Sequence, residues 1–230
     1  MLQMLSIGML FIMGVYYLVV YSFQRKNLSM LFFGLFCLAM TVRTLLVGDI
    51  LLLTLYNELD WTVLKKLEYL SENVSYIAFV LFLRYLFPYE INKAFVFIAI
   101  LIGTVFSLIV LVTSIGTFTS LMPLMMVVIG LSGIYLLYVY LTAAIKKREG
   151  ALIGFIFAII CFMTIMNDYL HHNEIIQTMD LLPYGFSLFL LAQIIIISMN
   201  YSHLFKKVDS LTYEVYELNQ SLENKLAEDG

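Results

Sequence analysis

Residues 94–112 read AFVFIAILIGTVFSLIVLV, nineteen positions without a charge. At 1.5 Å per residue a helix over this stretch is about 28 Å long, close to the roughly 30 Å hydrocarbon core of a bilayer. Working outward, Pro88, Glu90 and Lys93 bound the run on one side, and the uncharged Thr113 to Ser120 stretch follows on the other. Six further apolar runs resemble it. They span about Leu2 to Ser22, Ser29 to Gly48, Leu67 to Phe87, Leu121 to Ile145, Gly150 to Leu170 and Leu182 to Phe205. The expected fold class is therefore an all-α membrane protein, a seven-transmembrane helix bundle over residues 1–205. A cytoplasmic linker over residues 206–230 follows it.

Composition agrees. Of 230 residues, 62% are hydrophobic and 13% charged, against roughly 45–50% and 25% in soluble domains, and the mean hydropathy is +0.95. A net charge of −3 excludes a nucleic-acid binder that works through bulk positive charge. Cys37 and Cys161 lie inside apolar runs and read as small packing residues rather than a disulfide. The first run has no basic residue before it and two after it, the reverse of a signal peptide, so it reads as a retained span.

Lysine and arginine beside membrane helices stay on the cytoplasmic side. With the amino terminus outside, Arg25, Lys26, Arg84, Lys93, Lys146, Lys147, Arg148, Lys206, Lys207 and Lys225 fall inside. Only Lys65 and Lys66 fall outside, and Arg43 lies within a span. The expected topology is N-out/C-in, in a multi-pass protein of the lipid bilayer. The acids Asp49, Glu58, Asp60, Glu68, Glu72, Asp168, Glu174 and Asp180 collect outside. Either acids are simply free to lie there, or they form an outward-facing acidic vestibule.

From Leu204 onward the apolar positions alternate steps of four and three: Leu204, Val208, Leu211, Val215, Leu218 and Leu222. Val208 and Val215 at one heptad position with leucines at the other favour a parallel two-stranded coiled coil, hence a homodimer. The competing amphipathic helix on the membrane surface is usually rich in basic residues. This tail carries Asp209, Glu214, Glu217 and Glu223. It ends at Glu228-Asp229-Gly230, so the expectation is a shortened chain or a receptor without an effector of its own.

Ionisable groups inside spans are expensive and are functional candidates. Arg43 and Glu72 lie at similar depth near the outer ends of their spans, which predicts an ion pair with Glu68 one turn above. The pair either fixes helix packing or belongs to a ligand site. Asn167, Asp168 and Tyr184 reach the same layer, so a small-molecule pocket is expected among Arg43, Glu68, Glu72, Asn167, Asp168 and Tyr184. No spacing specifies the ligand. His171 and His172 with Glu174 or Asp168 form a weak metal candidate, because adjacent helical residues point about 100° apart. His203 lies at the other membrane face. A retinal Schiff base needs a lysine in a late span, and the seventh contains none before Lys206. No metal, cofactor or catalytic residue is expected. The alternatives are a small-molecule transporter or an intramembrane enzyme.

Several segments also resemble a known family in their order. These are KKLEYLS at 65–71, FLRYLFP at 82–88, MNDYL at 166–170, PYGF at 183–186, Gln193, and LNQSLENKL at 218–226. They resemble the bacterial seven-transmembrane receptors with diverse intracellular signalling modules. The resemblance implies a sensor in the bacterial inner membrane that passes an outside signal through the coil to a cytoplasmic domain in cis. That output domain is a histidine kinase or a nucleotide cyclase, expected beyond residue 230, as in a two-component system. No extracytoplasmic domain of the kind that many members carry is expected before Leu2. The resemblance implies no catalytic residue in the bundle.

Overall fold

The computed structural model describes residues 2–23, 25, 27–47, 60–148, 150–172, 174–179 and 181–228. Eight helices lie among them: α1 Leu2–Phe23, α2 Leu28–Val47, α3 Trp61–Leu86, α4 Lys93–Val112, α5 Ile115–Ser120, α6 Met122–Ile145, α7 Ala151–His172 and α8 Leu182–Glu228. All but α5 have twenty residues or more. By length and composition five can cross a membrane, namely α1, α2, α4, α6 and α7. The apolar part of α8, Tyr184–Met199, is shorter, and α3 carries Lys65, Lys66, Glu68, Glu72 and Arg84 along its length.

Two boundaries differ from the sequence expectation. Helix α3 begins at Trp61 rather than Leu67 because the Asp60 side chain accepts a hydrogen bond from the Thr62 amide at 2.9 Å and caps the helix. The uncharged 113–120 linker is itself partly helical. It contains the one-and-a-half-turn helix α5, which buries Phe118 against Tyr69 of α3. The acids Asp49 and Glu58 of the 49–66 segment lie outside the described residues, as do Lys26, Asp180 and Asp229.

Successive long helices run antiparallel, and small residues set their closest approaches. A Cβ on Gly14 of α1 would meet Leu38 of α2 at 2.7 Å, and one on Gly103 of α4 would meet Ile77 of α3 at 2.7 Å. Such contacts let backbones approach where lipid supplies no hydrophobic driving force. Helix α3 sits at the centre. Its rings touch α2 through Phe33–Phe82 and Phe36–Phe79 and α8 through Phe79–Phe189, and Phe87, at its C-cap, meets Tyr140 of α6. One face of α3 is thus covered by protein, and that face holds the buried Ser71, Asn73 and Ser75.

Candidate functional site

The last turns of α2 and the middle of α3 bring Arg43 and Glu72 together, Nη2 to Oε1 at 3.6 Å, with the carboxylate more enclosed than the guanidinium. A charge-assisted hydrogen bond is roughly 2.7–2.9 Å, so this pair is loose. The Arg43 Nε is buried and has no hydrogen-bond partner among the described residues. One turn above, Lys65 Nζ donates to Glu68 at 2.7 Å and lies 5.0 Å over the Trp61 ring. Lys66 donates to the Leu111 carbonyl at the end of α4.

Beside this cluster lies a small cleft between α3, α4, α5 and α6, of about 10 Å3, room for about one water molecule. Its walls include Tyr69, Phe106, Phe118 and Met125, and its polar side chains include Glu72 and Asn73. Asn73 is 3% exposed. Of the six expected ligand residues, Glu72 alone lines this cleft.

Asn167 and Asp168 are taken up by the turn that leads into α8. The Asp168 Oδ1 accepts from the Asn167 amide at 3.0 Å and from the Leu181 backbone amide at 2.8 Å. Asn167 donates to the Met179 carbonyl, and its Oδ1 accepts from Thr178. His171 Nδ1 accepts from the Thr178 amide at 3.3 Å, closing the same turn. These side chains organise a connection, and Tyr184 is exposed beyond it. Helix depth alone could not reveal this, because it says nothing about which neighbour a residue faces. The side chain of His172 lies outside the described residues. Among those described, no group of three or more His, Cys, Asp or Glu could hold a metal ion.

Two further polar constellations escaped sequence reasoning. In the core, the Tyr140 hydroxyl of α6 donates to Gln193 Oε1 of α8 at 2.9 Å, with both residues almost completely buried. Gln193 Nε2 is buried and has no partner among the described residues. An amide in the middle of an apolar run was the available signal. At the opposite end of the bundle, the fully buried side chain of Glu90 meets Arg148 Nε at 3.2 Å and Lys146 Nζ at 3.7 Å. This ties the α3–α4 connection to the α6–α7 connection. The latter reaches α8 through Gly150, whose φ is +73° and whose Cβ would lie 3.2 Å from the Ile196 Cα. A side chain there would meet both a left-handed backbone and a packed neighbour.

The family described as 7TM diverse intracellular signalling matches residues 1–202. The chain belongs to this family. No curated protein and no solved structure matches it. The 7TM signalling match runs from α1 through the packed part of α8, so it includes the Arg43–Glu72 pair, the cleft and the Tyr140–Gln193 bond. It stops where the exposed extension of α8 begins.

Proposed function

We propose that the chain is the receptor module of a membrane sensor, with seven spans, the amino terminus outside and the carboxyl end in the cytoplasm. A ligand near the Arg43–Glu72 end biases two arrangements of the bundle. Helix α8 conveys the difference through a parallel coiled coil, in a homodimer, to a cytoplasmic signalling domain in cis, a histidine kinase or nucleotide cyclase. The setting is the bacterial inner membrane. No step of catalysis is assigned to the bundle.

One observation carries this reading. Helix α8 is continuous from Leu182 to Glu228 and changes character once along its length. Its first half is packed, with Gln193 and Ile196 at 0% exposure, whereas Val208, Leu211 and Val215 further on are 57%, 50% and 57% exposed. A regular apolar stripe left open on a helix that leaves the bundle calls for a partner helix, and its valine–leucine alternation suits a second copy. The side chains of Leu204, Leu218 and Leu222 lie outside the described residues. A ligand shifts such an equilibrium only by its differential affinity for the two arrangements.

Single cysteines placed through 208–217 in membranes test the coil. Disulfide-linked dimers are expected to form strongly at Leu211 and Val215 and weakly at Glu214 and Glu217. A profile without helical period would remove the dimeric relay.

A further inference from the structure

We propose that the α6–α7 connection, Lys146 to Arg148, together with Tyr89 of the α3–α4 connection, binds the headgroup of an anionic glycerophospholipid. The proposal rests on the receptor reading only for the leaflet that supplies the lipid, and not for binding itself.

Two backbone bonds close the end of α6, from the Lys147 amide to the Ala144 carbonyl at 2.9 Å and from the Arg148 amide to the Ala143 carbonyl at 3.0 Å. This closure holds Lys147 at a φ of +53°, in a position that glycine usually fills. Three successive cations are thereby gathered in one tight turn. A single carboxylate answers them, that of Glu90, and its side chain is fully buried. Arg148 uses only its Nε on Glu90, so the N–H groups of its two terminal nitrogens have no partner among the described residues. The Lys146 Nζ stands off from Glu90 at 3.7 Å, and the Lys147 Nζ meets no acceptor among the described residues. The side chains of Lys146 and Arg148 are about half exposed. Beside them the Arg148 guanidinium lies 5.3 Å from the centre of the Tyr89 ring, and Tyr89 is itself exposed. Its hydroxyl adds a further donor.

The surface that continues from these cations separates a lipid from a free phosphate or an acidic peptide. Leu141 and Ile145, one turn apart on α6, lead up to Lys146, and both are exposed. A glycerophospholipid joins a phosphate to acyl chains, so its charge meets the turn while a chain runs along this face of α6. Basic clusters between and beside membrane helices hold anionic headgroups in this way. A zwitterionic headgroup brings a cation of its own towards Lys146 and Lys147 and gains less. Through Gly150 the same connection packs on Ile196 of α8, so the headgroup sits close to the helix that leaves the bundle.

Native mass spectrometry of the full chain in neutral detergent micelles tests the site, with phosphatidylglycerol and phosphatidylcholine of the same acyl chains offered in equal amounts. Each basic residue near a membrane surface favours an anionic lipid by about fivefold, so phosphatidylglycerol adducts are expected to exceed phosphatidylcholine adducts by about tenfold or more. The double variant Lys146→Gln/Lys147→Gln leaves Arg148 on Glu90, and its preference is expected to fall below about threefold. Lys147→Gln alone disturbs no described side-chain contact, covers the case of a poorly folded double variant, and is expected to lower the preference by about fivefold. As the control, Lys206→Gln/Lys207→Gln removes two charges beyond the same end of the bundle and is expected to keep the full preference. Equal losses in the two double variants would mean attraction by bulk charge alone and would overturn the site, as would a parent protein without preference. Glycerol 3-phosphate in about tenfold excess has the anion without the chains and is expected to leave the adducts in place. Displacement by it would put a free anion where the lipid is proposed and overturn the assignment. Micelles impose no orientation, so a wrong topology would leave this result unchanged, and a failed lipid site would leave the receptor reading standing.

Discussion

Replacing Gly154 by alanine places a Cβ 2.5 Å from Tyr140 Cε1 and 2.7 Å from Ile196 Cδ1. Carbon atoms pack best at about 3.5–4.0 Å, so the neighbours must retreat by roughly 1 Å. Neither has room. Tyr140 is 1% exposed, with its ring against Phe87 and its hydroxyl on Gln193, and Ile196 is 0% exposed. Overpacking of this kind costs about 1–3 kcal/mol. Alanine also gains about 1 kcal/mol of helix propensity over glycine, which would blur a single measurement. Gly133 of α6 supplies the control, since its Cβ would find its nearest atom at 3.9 Å, in Phe162. Unfolding in bicelles, followed by tertiary fluorescence against denaturing detergent, should place Gly154→Ala about 1–3 kcal/mol below Gly133→Ala. Equal stability of the two variants would refute the claim that α6, α7 and α8 are locked together at this point.

The remaining predictions concern the polar contacts. Tyr140→Phe leaves the Gln193 amide without its partner, and a double-mutant cycle with Gln193→Leu should give a coupling of about 0.6–1.7 kcal/mol, the range for hydrogen bonds between membrane helices. A coupling of zero would show that the two side chains act independently. Glu72→Arg sets two cations side by side and should destabilise the bundle by about 3 kcal/mol or more, with Arg43→Glu in the same chain restoring most of the loss. If the double swap is no more stable than Glu72→Arg alone, as read by the same unfolding assay, the pair does not hold α2 to α3.

Much of the helical layout was legible because a bilayer demands long apolar runs, and those runs are uninterrupted at 94–112 and 121–145. The Arg43–Glu72 contact was legible too, since equal depth on adjacent antiparallel helices leaves few partners for a charge. What depth cannot encode is azimuth, the direction in which a residue faces around the bundle. Asn167 and Asp168 have the right depth, yet their bonds go to the turn before α8. Gln193 stood out only as part of a family resemblance, and its partner Tyr140 is one of sixteen tyrosines, indistinguishable from the rest until α6 and α8 are packed. Glu90 likewise depends on the meeting of two connections 58 residues apart in the chain.

The central claim is that α8 transmits the state of the bundle to its exposed extension. From Gln193 to Leu211 is eighteen residues, about 27 Å of helix, and no described contact other than the helix itself joins the two positions. The most direct measurement compares the disulfide profile across 208–217 in the parent protein with that in Gln193→Leu. Loss of the Tyr140 bond should change which positions cross-link most strongly, because the helix turns or shifts as one rod. An unchanged profile in a stably folded Gln193→Leu protein would contradict the account.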